Sequence, residues 1–204
     1  MTSKPSKEWT LASRETVFQG YYQVDKLGFH HSLFSGGTSE LIDREMFVRG
    51  NVAAVLAYDP NSDSIALVEQ FRIGAMNQPD NPWLLEVIAG MIEKREEPGE
   101  VAIRESKEEA GLNLSEVRLI RRYLASPGCT PEEVFIYYAE TDLSQVQGVH
   151  GLEEEGEDIQ VHVVSADDAI TMLEDGRIKN AISIIALQWF QHQRLLKQLE
   201  RSQA

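Results

Sequence analysis

Three glutamates, Glu105, Glu108 and Glu109, stand three and four residues apart in a stretch punctuated as a helix at both ends. Residues 98–110 open on Glu97 and Pro98 and close on Gly111. Proline fits a first helical turn, and glycine is the residue most at ease in a left-handed cap. At that spacing the three carboxylates project from one helical face, while Ile103, Ser106 and Ala110 fall on the opposite face and are expected against a sheet. The acids crowd the last turns, where the helix dipole is negative and each is disfavoured by roughly 0.3–1 kcal/mol. Arg104, four residues before Glu108, is the one obvious local countercharge. Two readings meet these facts. Either the face is simply solvated, or a hard divalent cation belongs there, since carboxylate oxygens are the ligands Mg2+ and Mn2+ prefer. Spacing alone leaves both open.

The remaining sequence supplies a frame for that helix. Residues 21–29 and 40–48 are rich in strand formers and are separated by the turn Ser35-Gly36-Gly37-Thr38. They predict a small antiparallel unit over residues 1–50, too small to stand alone and therefore packed on the main domain or on a second subunit. Residues 51–204 form the second domain. Strands are expected at 53–58, 64–71 and 83–91, the last buried on both faces, then at 117–125, 133–139 and 159–164. Helices close the chain at 165–175 and 180–201. With 204 residues, such a chain buries roughly 70% of its unfolded surface, enough for a core and a formed pocket. The formal charge of −14 argues against nucleic acid, because no basic stripe is available to replace counterions along a phosphate backbone. An acidic chain that binds a phosphate ester must supply local arginines or metal cations against its own field. No apolar run approaches a membrane span and the start does not resemble a signal peptide. The lone Cys129 permits no internal disulfide, in keeping with a reducing cytosol. A cytoplasmic location is the expectation.

The residues around the glutamates decide between the two readings. Gly90, Glu96, Arg104, Glu105, Glu108, Glu109, Gly111 and Leu112 stand as G-x5-E-x7-R-E-x-x-E-E-x-G-L. This resembles the signature of the Nudix hydrolase superfamily. Ser106 departs from the family pattern, which has an aliphatic residue or alanine there; its hydroxyl is expected to bond back to the preceding turn. The N-terminal strands, the 83–91 strand, Leu124-Ala125-Ser126-Pro127-Gly128 and His150-Gly151-Leu152 are similar to bacterial ADP-ribose pyrophosphatases of that superfamily. The likeness runs from about residue 15 to residue 193.

The resemblance implies an α/β/α sandwich with a mixed sheet, beside the small N-terminal β domain. It also implies hydrolysis of the diphosphate of ADP-ribose to AMP and ribose 5-phosphate, with Mg2+, or alternatively Mn2+, as cofactor. Metal ligands by position are Glu105, Glu109 and the carbonyl of Ala89, with Glu108 a further ligand or a hydrogen-bond acceptor behind them. Arg104 orients the carboxylates, Glu96 braces the loop, and Gly90 and Gly111 shape it. Glu153-Glu154-Glu155-Gly156-Glu157 would on its own read as an exposed acidic loop. By resemblance Glu155 becomes the base that deprotonates the attacking water, with Glu153 and Glu154 as rivals, and Glu157 becomes a metal ligand. Arg44, Arg49 and Arg72 match phosphate-binding positions, Tyr21 or Tyr22 would stack on adenine, and Glu45 would accept hydrogen bonds from it. Ser126, Pro127, Gly128 and Glu132 would meet the terminal ribose, with Met91 backing the pocket. Strand packing for one tyrosine and an ordinary ion pair for Arg72 are the plainer alternatives.

The family further implies a homodimer whose active site is shared between subunits. The rival functions are hydrolysis of another nucleoside diphosphate sugar or of NADH, and a Nudix-fold nucleotide sensor without turnover. His30, His31, His162 and His192 show no metal-ligand spacing, and Cys129 has no apparent nucleophilic partner.

Overall fold

A computed structural model describes residues 7–203, the side chain of the last one excepted. These divide into two compact units. One comprises the described residues up to Gly50 together with Leu124–Glu133; the other comprises Asn51–Tyr123 and the chain from Val134 onward. The segment 124–133 therefore belongs with the N-terminal strands and not with the strands that flank it in sequence.

The first unit is a three-stranded antiparallel sheet in the order β1 (Trp9–Gln19), β2 (Gln23–His31), β3 (Ile42–Val48). Residues 33–37 turn the chain between β2 and β3, with Gly36 and Gly37 at φ 89° and 81°, a conformation that residues with a side chain rarely adopt. Buried Asp25 holds the sheet's polar side together: it accepts from Arg14 Nε at 2.6 Å, Thr16 Oγ1 at 2.8 Å and Gln23 Nε2 at 2.6 Å. Segment 124–133 is tied in by the Phe47 N–H, which donates to the Cys129 carbonyl at 2.8 Å. Tyr21 and Tyr22 lie in the β1–β2 turn and not, as their composition suggested, within a strand.

The second unit is a sandwich of helices about a mixed sheet. Its strands are β4 (Val52–Asp59), β5 (Ser64–Phe71), β6 (Trp83–Glu86), β7 (Ile88–Met91), β8 (Arg118–Leu124), β9 (Glu133–Glu140), β10 (Val149–His150) and β11 (Ile159–Ser165). The sheet runs β10-β11-β5-β4-β9-β8, with β6 added on β5 and β7 on β4. The β4–β9 pair is parallel, Val52 opposite Val134; β4–β5, β5–β6, β4–β7, β11–β5 and β10–β11 are antiparallel.

The strand expected over 83–91 is in fact two, because the Val87 N–H leaves the ladder and donates to Ser183 Oγ at 2.9 Å. β6 then pairs with β5 and β7 with β4, so a short apolar run serves two partners.

Alternation along β4 and β5 splits the core between the two faces. Ala53, Val55, Ala66 and Val68 pack with Val101 and Ala110 of α1 (Pro98–Ala110). Leu56, Ile65 and Leu67 pack with Ala169 of α2 (Ala166–Glu174) and Leu187 and Phe190 of α3 (Ala181–Gln203). Each fully buried Leu, Ile or Val here contributes about 1.5–3 kcal/mol relative to an exposed one. Ser165 caps α2 by accepting from the Asp168 N–H at 3.0 Å. No helix among the described residues is long and apolar enough to cross a membrane.

Candidate active site

Helix α1 ends as its sequence requires. Gly111 takes the left-handed conformation at φ 65°, and the N–H groups of Gly111 and Leu112 close on the carbonyls of Lys107 and Ser106 at 3.0 and 2.9 Å, a Schellman arrangement. Ser106 is fully buried and its hydroxyl donates to the Ala102 carbonyl at 2.7 Å. The helix thus absorbs a hydroxyl where an apolar side chain would otherwise sit.

The acidic face, however, is not a solvated one. Glu109 is 2% exposed and Glu105 9%, while Ile103 on the other side is only partly buried. The reason is that α1 packs on β7 along its acidic side as well as on the core along its apolar side. Glu109 accepts from the Ala89 N–H at 3.0 Å and from the Gln70 amide at 3.4 Å. Glu105 lies so close to Gly90 that a Cβ there would meet its Oε1 at 1.7 Å and its Cδ at 1.9 Å. Any other residue at position 90 would drive that carboxylate away.

Arg104 organises what is left. Its Nε and Nη2 reach the two oxygens of Glu96 at 3.1 and 3.2 Å, and Nη1 donates to Glu105 at 2.9 Å and Glu108 at 2.8 Å. Nη2 also lies 3.4 Å from the Met91 carbonyl. Glu96 in turn accepts the Glu93 N–H at 3.0 Å, so it braces the loop between β7 and α1, and the Arg104 guanidinium holds its carboxyl below the usual range. Burial pushes Glu105 up to about 7 and Glu109 up to about 8, with neighbouring carboxylates adding to the rise.

The donor set consists of oxygens alone, buried and short of positive charge, which fits a hard divalent cation. Among the described residues no three acidic, His or Cys side chains are already drawn around one point. One nitrogen of Arg104 bridges Glu105 and Glu108, and a cation would take over those contacts.

The acidic loop begins where the Gly151 N–H donates to the Glu108 carbonyl at 3.1 Å, which ties it to α1. Glu153–Glu155 form a 3-10 turn closed by Gly156 at φ 71°, and all three glutamates are exposed. Glu157 is partly buried; its carboxylate accepts the Leu152 N–H at 3.0 Å and adds to the field on Glu105, Glu109 and Arg72. Arg72 forms an ion pair and its own side chain is 41% exposed. It grips nearly fully buried Glu86 through Nε at 3.1 Å and Nη2 at 2.7 Å.

The first unit brings together another set. Tyr22 meets Phe47 edge-on at 5.0 Å and Tyr21 at 4.8 Å, and Arg49 lies over the Tyr22 ring at 5.8 Å. Arg49 Nε is buried without a hydrogen bond, 3.6 Å from buried Glu132, whose carboxyl burial pushes up. Ser126 opens the turn holding exposed Pro127 and Gly128, its carbonyl accepting the N–H groups of Cys129 and Thr130 at 3.0 Å. Arg44 and Glu45 are exposed on β3, and Arg44 donates to its neighbour's carbonyl at 2.7 Å.

Gln70 and Glu86 were not singled out from the sequence. The signal was a polar residue facing inward in an otherwise apolar strand, at positions where alternation predicts core.

Residues 48–190 match the NUDIX domain. The chain belongs to the NUDIX family. Hydrolases of this family generally depend on divalent metal ions. This NUDIX chain is 46% identical over 188 residues to an ADP-ribose pyrophosphatase of Escherichia coli K12, covering 92% of this chain and 90% of that one. An ADP-ribose pyrophosphatase of Haemophilus influenzae is 44% identical over 184 residues, 89% and 85% of the two chains. A GDP-mannose pyrophosphatase of Yersinia enterocolitica is 32% identical over 185 residues, 90% and 95%. A crystal structure of an ADP compounds hydrolase superposes with a TM-score of 0.70 over 93% of this chain and 96% of that one. At 21% identity it speaks for the NUDIX fold alone.

Proposed function

We propose that this NUDIX chain hydrolyses the diphosphate of ADP-ribose, with Mg2+ or alternatively Mn2+, in the cytoplasm. The observation that carries the substrate is the identity of 44–46% over about nine-tenths of the chain to two ADP-ribose pyrophosphatases. The buried, oxygen-only carboxylate set of α1 supports the chemistry. Adding water across the P–O–P anhydride yields AMP and ribose 5-phosphate whichever phosphorus is attacked. Glu105, Glu109 and the Ala89 carbonyl would hold metal, with Glu108 and Glu157 as further ligands. When bound, the metal neutralises the diphosphate and lowers the pKa of the attacking water. Glu155 takes the proton of that water. Arg104, braced by Glu96, holds the carboxylates in place between turnovers. Arg44, Arg49 and Arg72 suit bidentate phosphate contacts. Tyr21 or Tyr22 stacks on adenine and Glu45 accepts from it, while Ser126, Pro127, Gly128, Glu132 and Met91 form the pocket for the terminal ribose.

The test is hydrolysis of ADP-ribose beside ADP-glucose, GDP-mannose and NADH, with and without Mg2+, followed by product analysis. ADP-ribose is expected to give the highest kcat/KM, and none of the four should turn over in chelator. A better GDP-mannose or NADH rate overturns the substrate, and metal-independent turnover overturns the chemistry.

The same reading includes a homodimer with a shared site. Strand β1 is exposed along its whole length, with Trp9 72% and Phe18 60% exposed, an exposed apolar surface of the kind that marks an interaction site. A two-fold dimer is the commonest assembly for a soluble homo-oligomer. In it Tyr21, Arg44 and Arg49 of one subunit would reach nucleotide held by the carboxylates of the other. Mixing inactive Glu109→Gln chains with Arg44→Ala chains is then expected to restore activity as subunits exchange, since one site of the heterodimer is wild type. No recovery despite demonstrated exchange, or a monomer at micromolar concentration, refutes it.

A further inference from the structure

The sheet face that packs α3 carries a groove of about 410 Å3, on the side away from α1 and its carboxylates. That volume falls within the roughly 300–1,000 Å3 of small-molecule pockets. The Arg118 guanidinium lies 5.4 Å from the Tyr138 ring centroid and 5.2 Å from that of Trp189, held by two aromatic faces with no carboxylate partner among the described residues. Lys197 and Arg201, one turn apart on α3, border the same groove and also have no acidic partner among the described residues. Two positive charges at that spacing repel one another.

Of the other charges of the groove, Arg194 and Asp63 neutralise each other, whereas Glu140 keeps its negative charge, its partner being a neutral hydroxyl. Arg194 is held by Asp63 and, at 3.1 Å, by Asp167, and Glu140 accepts from the Tyr138 hydroxyl at 2.8 Å. In a chain of net charge −14, three unpaired cations beside half-buried aromatic rings select an anion that carries a flat ring. The patch is local and concave, unlike the extended basic stripe that nucleic acid requires.

We propose that this groove is a second, non-catalytic binding site for a nucleoside phosphate. Its base lies against the Trp189–Tyr138 wall, and its phosphate is taken by Arg118, Lys197 and Arg201. Guanidinium groups offer paired donors to phosphate oxygens, and the lysine adds a point charge.

The chain has three tryptophans, so Trp9→Phe with Trp83→Phe leaves Trp189 as the sole indole reporter. Titration with AMP is expected to give a saturable change in its fluorescence. Inorganic phosphate is expected to bind at least 10-fold more weakly. Lys197→Glu with Arg201→Glu is expected to weaken AMP at least 10-fold at this site and to leave kcat/KM for ADP-ribose within twofold. Equilibrium dialysis of the wild-type chain provides an independent count, expected at two AMP per chain and falling to one in the charge-reversal variant. Equal affinity for phosphate and AMP, an unchanged signal after charge reversal, or a dialysis count that charge reversal does not lower overturns the proposal.

Discussion

Glu109→Gln is expected to lower kcat by about 100-fold or more while leaving the fold intact. The side chain is almost fully enclosed, accepting from the Ala89 N–H and the Gln70 amide. Glutamine keeps the shape and one acceptor oxygen but removes the charge; if Glu109 is a metal ligand as proposed, the neutralisation of the diphosphate weakens with it. Stability moves the other way or not at all, because burial already disfavours the ionised carboxyl at this position. The measurement is therefore a pair, steady-state hydrolysis and thermal unfolding of the metal-free chain. Near-normal hydrolysis at low Mg2+ would sink the metal assignment. A collapsed Tm with low activity would instead place Glu109 in the core as a structural acid.

Glu155→Gln is expected to lower kcat by roughly 10²–10⁴-fold, the usual worth of a positioned general base, with KM little changed, as for a group that acts in the transition state. The 3-10 turn presents Glu153, Glu154 and Glu155 together, and none of the three side chains is tied down among the described residues. Geometry alone does not rank them, so all three Gln variants belong in one experiment. A large kcat loss in Glu153→Gln or Glu154→Gln with Glu155→Gln unaffected would move the base by one or two positions in the turn. Loss confined to KM would take the turn out of the chemistry altogether.

Helix α1 was legible because its boundaries are written in residue types, Pro98 at one end and Gly111 at the other, and its signature spacing named the family before any coordinate. What spacing could not say is which side of that helix is wet. Glu105 and Glu109 are polar in pattern yet enclosed in fact, since β7 closes over them and Gly90 makes room for Glu105. The split between β6 and β7 was equally hidden. Glu86 is the one charged residue within Trp83–Met91 and does not by itself mark a strand end, and the hydroxyl that interrupts the ladder lies 96 residues away at Ser183. Tyr21 and Tyr22 read as strand formers by type, but they occupy a turn that the β1–β2 register imposes. Long-range partners of this kind have no local signature.

The first unit is assembled from two pieces of chain separated by the residues from Asn51 to Tyr123. On a ribosome adding about 5–20 residues per second, β1 to β3 emerge roughly 4–15 s before the segment that completes them. Through that interval the Phe47 N–H lacks the Cys129 carbonyl that accepts it, and Arg49 lacks Glu132. Cutting the chain after Gly50 therefore cannot yield two self-sufficient halves. The N-terminal piece would lack its closing turn, and the C-terminal piece would carry a ten-residue excursion, Leu124–Glu133, with no sheet to receive it.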